Sequence, residues 1–171
     1  MKKILFYLCF PIIFFSCGDN SPSLSMTYQR DFEIPAGLNT FDTHVFELNN
    51  IPTNKVAFFT GNGIDETDIT EIAPIEGELQ VSFGQEDLFF IREVVVEIFT
   101  NDNPTGKEIY FREQVPFNTG QSILLIPSLP KVTDILTEDQ FSVRVELLLR
   151  DITPTFIEAR LNMVFRAEYE L

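Results

Sequence analysis

The sequence predicts an all-β protein, an antiparallel two-sheet β-sandwich of immunoglobulin-like or jelly-roll type with one or two short helices. Three observations lead there. Apolar and polar residues alternate with period two over many short segments. Clusters of Asn, Asp, Gly and Pro separate those segments. Helical signals are confined to two short stretches, residues 65–72 and 132–138.

Taken in order, residues 28–34 are expected as a first edge strand, with 40–48 and 56–60 as further candidates. Residues 65–72 read as two helical turns, with Asp65 as N-cap and acidic residues in the first turn. A short strand is expected at 79–83. The run Val94-Val95-Val96 within 89–100 marks a central strand covered on both faces. Asn101-Asp102-Asn103-Pro104-Thr105-Gly106 breaks it, and 107–115 returns as the second half of a hairpin. A strand at 122–126 and a helical turn or two at 132–138 follow. Phe141, Val143, Val145, Leu147 and Leu149 then alternate with polar residues, and so do Ile157, Ala159, Leu161, Met163, Phe165 and Ala167. Asp151-Ile152-Thr153-Pro154 between them has turn chemistry, so these two strands are expected as an antiparallel hairpin. The last strand, 157–171, would span about 50 Å if straight, so a bend or bulge near Asn162, or a change of sheet partner, is expected. The count is eight or nine strands.

The opening stretch has a different character. Lys2 and Lys3 precede an apolar run, 4–15, interrupted by Pro11. A membrane span needs about 20 apolar residues, so this pattern is a secretory signal. The Ser16-Cys17-Gly18 junction resembles the lipobox of bacterial lipoproteins, although Phe14 and Phe15 stand where Leu and a small residue are usual. The resemblance implies cleavage before Cys17 and a diacylglycerol on its sulfur, an anchor that holds stably with more than one acyl chain. Cys9, the only other cysteine, would leave with the signal, so the mature domain forms no intramolecular disulfide. The expected organisation is a signal peptide at 1–16, the lipidated Cys17 with a flexible tether to residue 29, and a β-sandwich domain at 30–171. That domain resembles the uncharacterised β-sandwich domains of secreted bacterial lipoproteins, a likeness that transfers no activity.

Charge narrows the function. The net charge is −14, and without Lys2 and Lys3 ten basic residues face 26 acidic ones. This sign opposes binding to nucleic-acid phosphates and to anionic head groups. The sole histidine, His44, has no serine in a Gly-x-Ser-x-Gly elbow to serve, and one histidine without a free thiol disfavours zinc. Glu86-Asp87 and Asp65-Glu66-Thr67-Asp68 are the densest carboxylate groups, and read as solvated loops rather than as a glycosidase pair. The 101–106 segment faintly resembles a calcium loop, but its fourth position is Pro104 and its twelfth Arg112. Loop 61–65, with Asp65 and Asp68, is a second weak calcium candidate. There is no tryptophan, and Tyr28, Tyr110 and Tyr169 are scattered. The pairs Phe58-Phe59 and Phe89-Phe90 are expected to put one ring on each face of their strands as ordinary core, the alternative being that one ring of each pair covers a second layer, a ligand or a partner.

No catalytic, cofactor or metal residue is therefore assigned. Cys17 is the one site residue, and its role is lipidation. The expectation is a non-enzymatic cell-envelope lipoprotein, membrane-attached through its lipid, that binds another envelope protein. A carrier or sensor of an apolar or glycan ligand is the alternative, and a carboxylate-based hydrolase stands behind both. The length of the last strand also suggests strand addition to a partner at that edge.

Overall fold

A computed structural model describes residues 22–170 of the chain. It contains eight strands: β1 (Ser23–Ile34), β2 (Thr43–Pro52), β3 (Ile69–Phe83), β4 (Ile91–Phe99), β5 (Lys107–Arg112), β6 (Ser122–Pro127), β7 (Gln140–Leu149) and β8 (Ile157–Tyr169). Two single-turn helices, α1 (Lys55–Phe58) and α2 (Thr133–Leu136), and two 3-10 turns lie in the connections. All pairings are antiparallel and the strand order is β1-β8-β3-β6-β5-β4-β7-β2. Strand β6 bends from one sheet into the other. Ser122 to Leu125 pair with β3, while Ile126 and Pro127 pair with β5. The result is a nearly closed sandwich of β1-β8-β3-β6 on β2-β7-β4-β5. Its nested pairs β1·β8, β2·β7, β3·β6 and β4·β5 are those of a jelly roll.

The core follows from alternation. Ile157, Ala159, Leu161, Met163, Phe165 and Ala167 of β8 are buried, and Phe141, Val143, Val145, Leu147 and Leu149 of β7 face them from the other sheet. Burying a side chain of this size contributes about 1.5–3 kcal/mol. Tyr28, Phe141 and Phe165 join the two layers edge to face, with ring centroids 5.0 and 5.9 Å from Tyr28. Tyr110 crosses the core and donates its hydroxyl to the Val164 carbonyl (2.8 Å). It lies so close over Gly77 that a Cβ there would sit 2.7 Å from its ring. Burial pushes the phenols of Tyr28 and Tyr110 well above their ordinary pKa, so both remain neutral hydrogen-bond donors.

Several sequence expectations are corrected. The tether is shorter than read, because residues from Ser23 already pair with β8 and Met26 and Tyr28 are core side chains. The domain therefore begins about seven residues before position 30. Residues 56–60 form α1 and the start of a 3-10 turn instead of a strand, after Asn54 enters the left-handed region at φ 51°. Residues 65–72 give one 3-10 turn, with Asp65 accepting from Thr67 N as its cap, and then β3. β7 and β8 do not form a hairpin; they lie in different sheets, and connection 150–156 crosses between them. β8 carries no bulge. The register slips fall on its neighbour β3, including one beside Pro74, which has no N–H to offer the ladder. β8 is also paired on both flanks, so it offers no open edge for strand addition.

Nested pairing has a geometric consequence. Every odd strand runs one way and every even strand the other. Connections 35–42, 84–90, 113–121 and 150–156 therefore gather at one end, the loop end. Connections 53–68, 100–106 and 128–139 gather at the other, the helical end, together with the start of β1 and the end of β8.

Candidate functional site

The loop end is one tied surface. Thr153, almost fully buried, accepts from Leu38 N (2.8 Å) through Oγ1 and donates to the Pro35 carbonyl (2.8 Å), and its own carbonyl accepts from Gly37 N (3.0 Å). The Phe90 carbonyl accepts from Arg150 N (2.8 Å), and the Gly120 carbonyl from Leu88 N (2.8 Å). An Nη of Arg150 donates to the Val115 carbonyl. All four connections are thus joined by hydrogen bonds. A floor of this kind presents side chains without having to order them on binding.

That surface carries most of the exposed apolar side chains, among carboxylates such as Asp87 and Asp151. Eleven large apolar side chains are exposed among the described residues, and six of them lie here: Phe41, Phe83, Phe89, Phe117, Ile152 and Phe156. Phe41 is 91% and Phe117 79% exposed. Val45, Leu124 and Ile126 are on strand faces, which leaves only Val56 and Leu129 of this set for the helical end. Apolar residues concentrated at one site mark an interaction surface more than scattered ones do.

Next to Phe117 lies a cleft of about 420 Å³ lined by Arg92, Gln114, Val115, Pro116, Phe117 and Arg150. The Arg150 guanidinium stacks on the Phe117 ring, 4.2 Å from its centroid. Its Nε is buried and has no hydrogen-bond partner among the described residues. Arg92 is the bulged residue where the β4–β7 register slips between Ile91 and Glu93, and bulges re-aim side chains. Its carbonyl accepts from Val115 N (2.9 Å), which fixes the backbone beneath the cleft.

The helical end is polar. A cleft of about 400 Å³ there brings Asn101, Asp102, Asn103 and Thr105 beside Asp134, Glu138 and Asp139. The Lys107 ammonium sits between the two sides, 2.7 and 2.8 Å from the Asp134 oxygens and 3.1 Å from the Lys131 carbonyl. Within the calcium-like segment the Asn103 side chain accepts from Thr105 N (3.3 Å), and Thr100 Oγ1 accepts from Asn103 N (3.1 Å). Those oxygens are engaged in holding the turn. Among the described residues no group of three or more His, Cys, Asp or Glu is placed to hold a metal ion.

The other sequence-derived candidates are dispersed. Cys17 lies outside the described residues. His44 is half-buried on β2, where its Nε2 donates to the Asn39 carbonyl (2.8 Å). Glu86-Asp87 is at the loop end and Asp65–Asp68 at the helical end, so these two carboxylate groups do not face one another. A hydrogen bond from Thr67 N holds the Asp65 carboxyl below its usual range. Phe59 and Phe90 are core residues, as expected for one ring of each pair. The arginine cleft has no sequence signal, because Arg92 and Arg150 are far apart in the chain and neither belongs to a motif.

No protein-family model matches the chain, and no curated protein matches it in sequence. Among solved structures it is similar to the decameric BFDV capsid protein, with 10% identity and a TM-score of 0.38 over 86% of this chain and 99% of that one. It is similar also to Desmodium yellow mottle tymovirus, with 11% identity and a TM-score of 0.31 over 99% and 98%. Values at this level carry no argument about function.

Proposed function

We propose that the protein is a lipid-anchored envelope protein whose sandwich acts by binding another envelope protein at its loop end, without catalysis. The observation that carries this reading is the gathering of six exposed apolar side chains, five on four mutually tied connections and Phe83 at the end of β3 beside them. Placement supports it. Residues 17–22 reach at most about 20 Å, and β1 begins at the helical end. An anchor on Cys17 therefore holds the helical end near the bilayer and points the loop end outward, about 40 Å away along β8. Acidic residues around the anchored end repel anionic head groups.

The anchor is tested by the intact mass of the protein extracted from its own membrane. A chain beginning at Cys17 with a diacylglycerol adduct is expected, together with release of Cys17→Ser from the membrane fraction. A chain that retains residues 1–16 with a free thiol contradicts the reading.

A further inference from the structure

We infer that the cleft between Arg92 and Arg150 is an anion site that receives a carboxylate presented by the partner protein. The inference rests on reading the loop end as the binding surface and names the chemistry used there. Ten cationic side chains lie within the described residues. Lys55, Lys107, Lys131, Arg144 and Arg160 each have a carboxylate within 4.0 Å. Among the described residues the other five, Arg30, Arg92, Arg112, Arg150 and Arg166, have none, although acidic residues greatly outnumber basic ones, and of these Arg92 and Arg150 line one cleft. Asp151, next in sequence to Arg150, instead accepts from Ile152 N (2.8 Å).

The arginines are also held ready. Stacking on Phe117 and the bond to the Val115 carbonyl fix the Arg150 guanidinium, and its buried Nε still has no acceptor. The bulge at Arg92 places a second guanidinium on the same cleft, and Gln114, at φ 51°, adds an amide. A planar fork with free N–H groups matches a carboxylate with two parallel hydrogen bonds. The apolar side chains of the same tied surface require a ligand with a body to cover them. Arginine and aromatic side chains are both enriched at protein interfaces. A sugar acid fits less well, because the chain has no tryptophan and Tyr28 and Tyr110 are buried.

The test uses the full chain in detergent micelles, with the Arg Nε–H resonances followed by NMR. The probe is the blocked dipeptide Ac-Asp-Phe-NH2. Ac-Asn-Phe-NH2 and glucuronate are the comparison arms. A saturable shift of the Arg150 Nε–H signal is expected, with a Kd of order 1 mM. Ac-Asn-Phe-NH2 is expected to bind at least about tenfold more weakly, and Arg92→Gln and Arg150→Lys each to weaken the acidic dipeptide about tenfold. Equal or tighter binding of glucuronate would overturn the protein source. The absence of a saturable shift with any carboxylate would overturn the site. Neither result bears on whether the loop end touches a protein, which cross-linking from Phe117 reads separately.

Discussion

At the loop end Thr153 holds connections 35–42 and 150–156 together; at the helical end Thr53 holds 53–68 to 128–139. Both threonines are buried. Thr53 Oγ1 donates to the Glu138 carbonyl (2.6 Å), and its own carbonyl accepts from the Tyr28 hydroxyl (2.7 Å). The two floors are built alike, and what stands on them differs. The helical end carries carboxylates interleaved with paired lysines. The loop end also has carboxylates, such as Asp87 and Asp151, but adds exposed phenylalanines and two arginines with no carboxylate partner. Rigidity is therefore common to both ends, and only the presented chemistry separates a binding surface from a solvated one.

Substitution at the midpoint should affect both ends equally. Gly77→Val drives a side chain into the Tyr110 ring and should cost about 3 kcal/mol, read as a lower denaturant midpoint by probes at either end. Next come the two threonines. Thr153→Val and Thr53→Val should each cost about 1–3 kcal/mol, because buried backbone groups lose their partners. Of the two, Thr153→Val alone should also weaken partner binding. Equal binding losses from both would erase the distinction between the ends.

Phe117→Ser with Phe156→Ser should change stability by about 0.5 kcal/mol or less, since both rings are exposed. It should reduce partner binding at least tenfold, about 1.4 kcal/mol. The smallest effect concerns Asp31 and Arg160, near the loop end of β1 and β8. The hydrogen bond from Arg160 holds the Asp31 carboxyl below 3.8. A lowered folded-state pKa gives stability that is present above the unfolded value and is lost as pH falls through the folded one. The pair is largely exposed, so Asp31→Asn should cost no more than about 0.5 kcal/mol at neutral pH. That difference should vanish in acid melts below the folded pKa.

Much of this architecture is legible in the sequence, because alternation is a direct record of which face is buried. The period-two run in β8 placed its core side chains residue by residue. Strand partners are less legible. Asp151-Ile152-Thr153-Pro154 announces a reversal, but the same turn chemistry serves a hairpin and a crossing between sheets. The start of β1 is hard to read in the sequence, because serines at 23 and 25 look like a linker while Leu24, Met26 and Tyr28 alternate with them. The shared position of Phe41, Phe83, Phe117 and Phe156 has no sequence signal of its own. It follows from nested pairing, which brings four distant connections to one end.

The most direct test of the loop end as the binding surface is site-specific photo-cross-linking in the native membrane. The full chain would carry a photoreactive phenylalanine at 117 in one strain and at Val56 in another. A discrete protein adduct from position 117, absent at 56 and lost with Arg92→Gln and Phe156→Ser, is the predicted result. An adduct from 56 alone, or none from either position, would contradict the account.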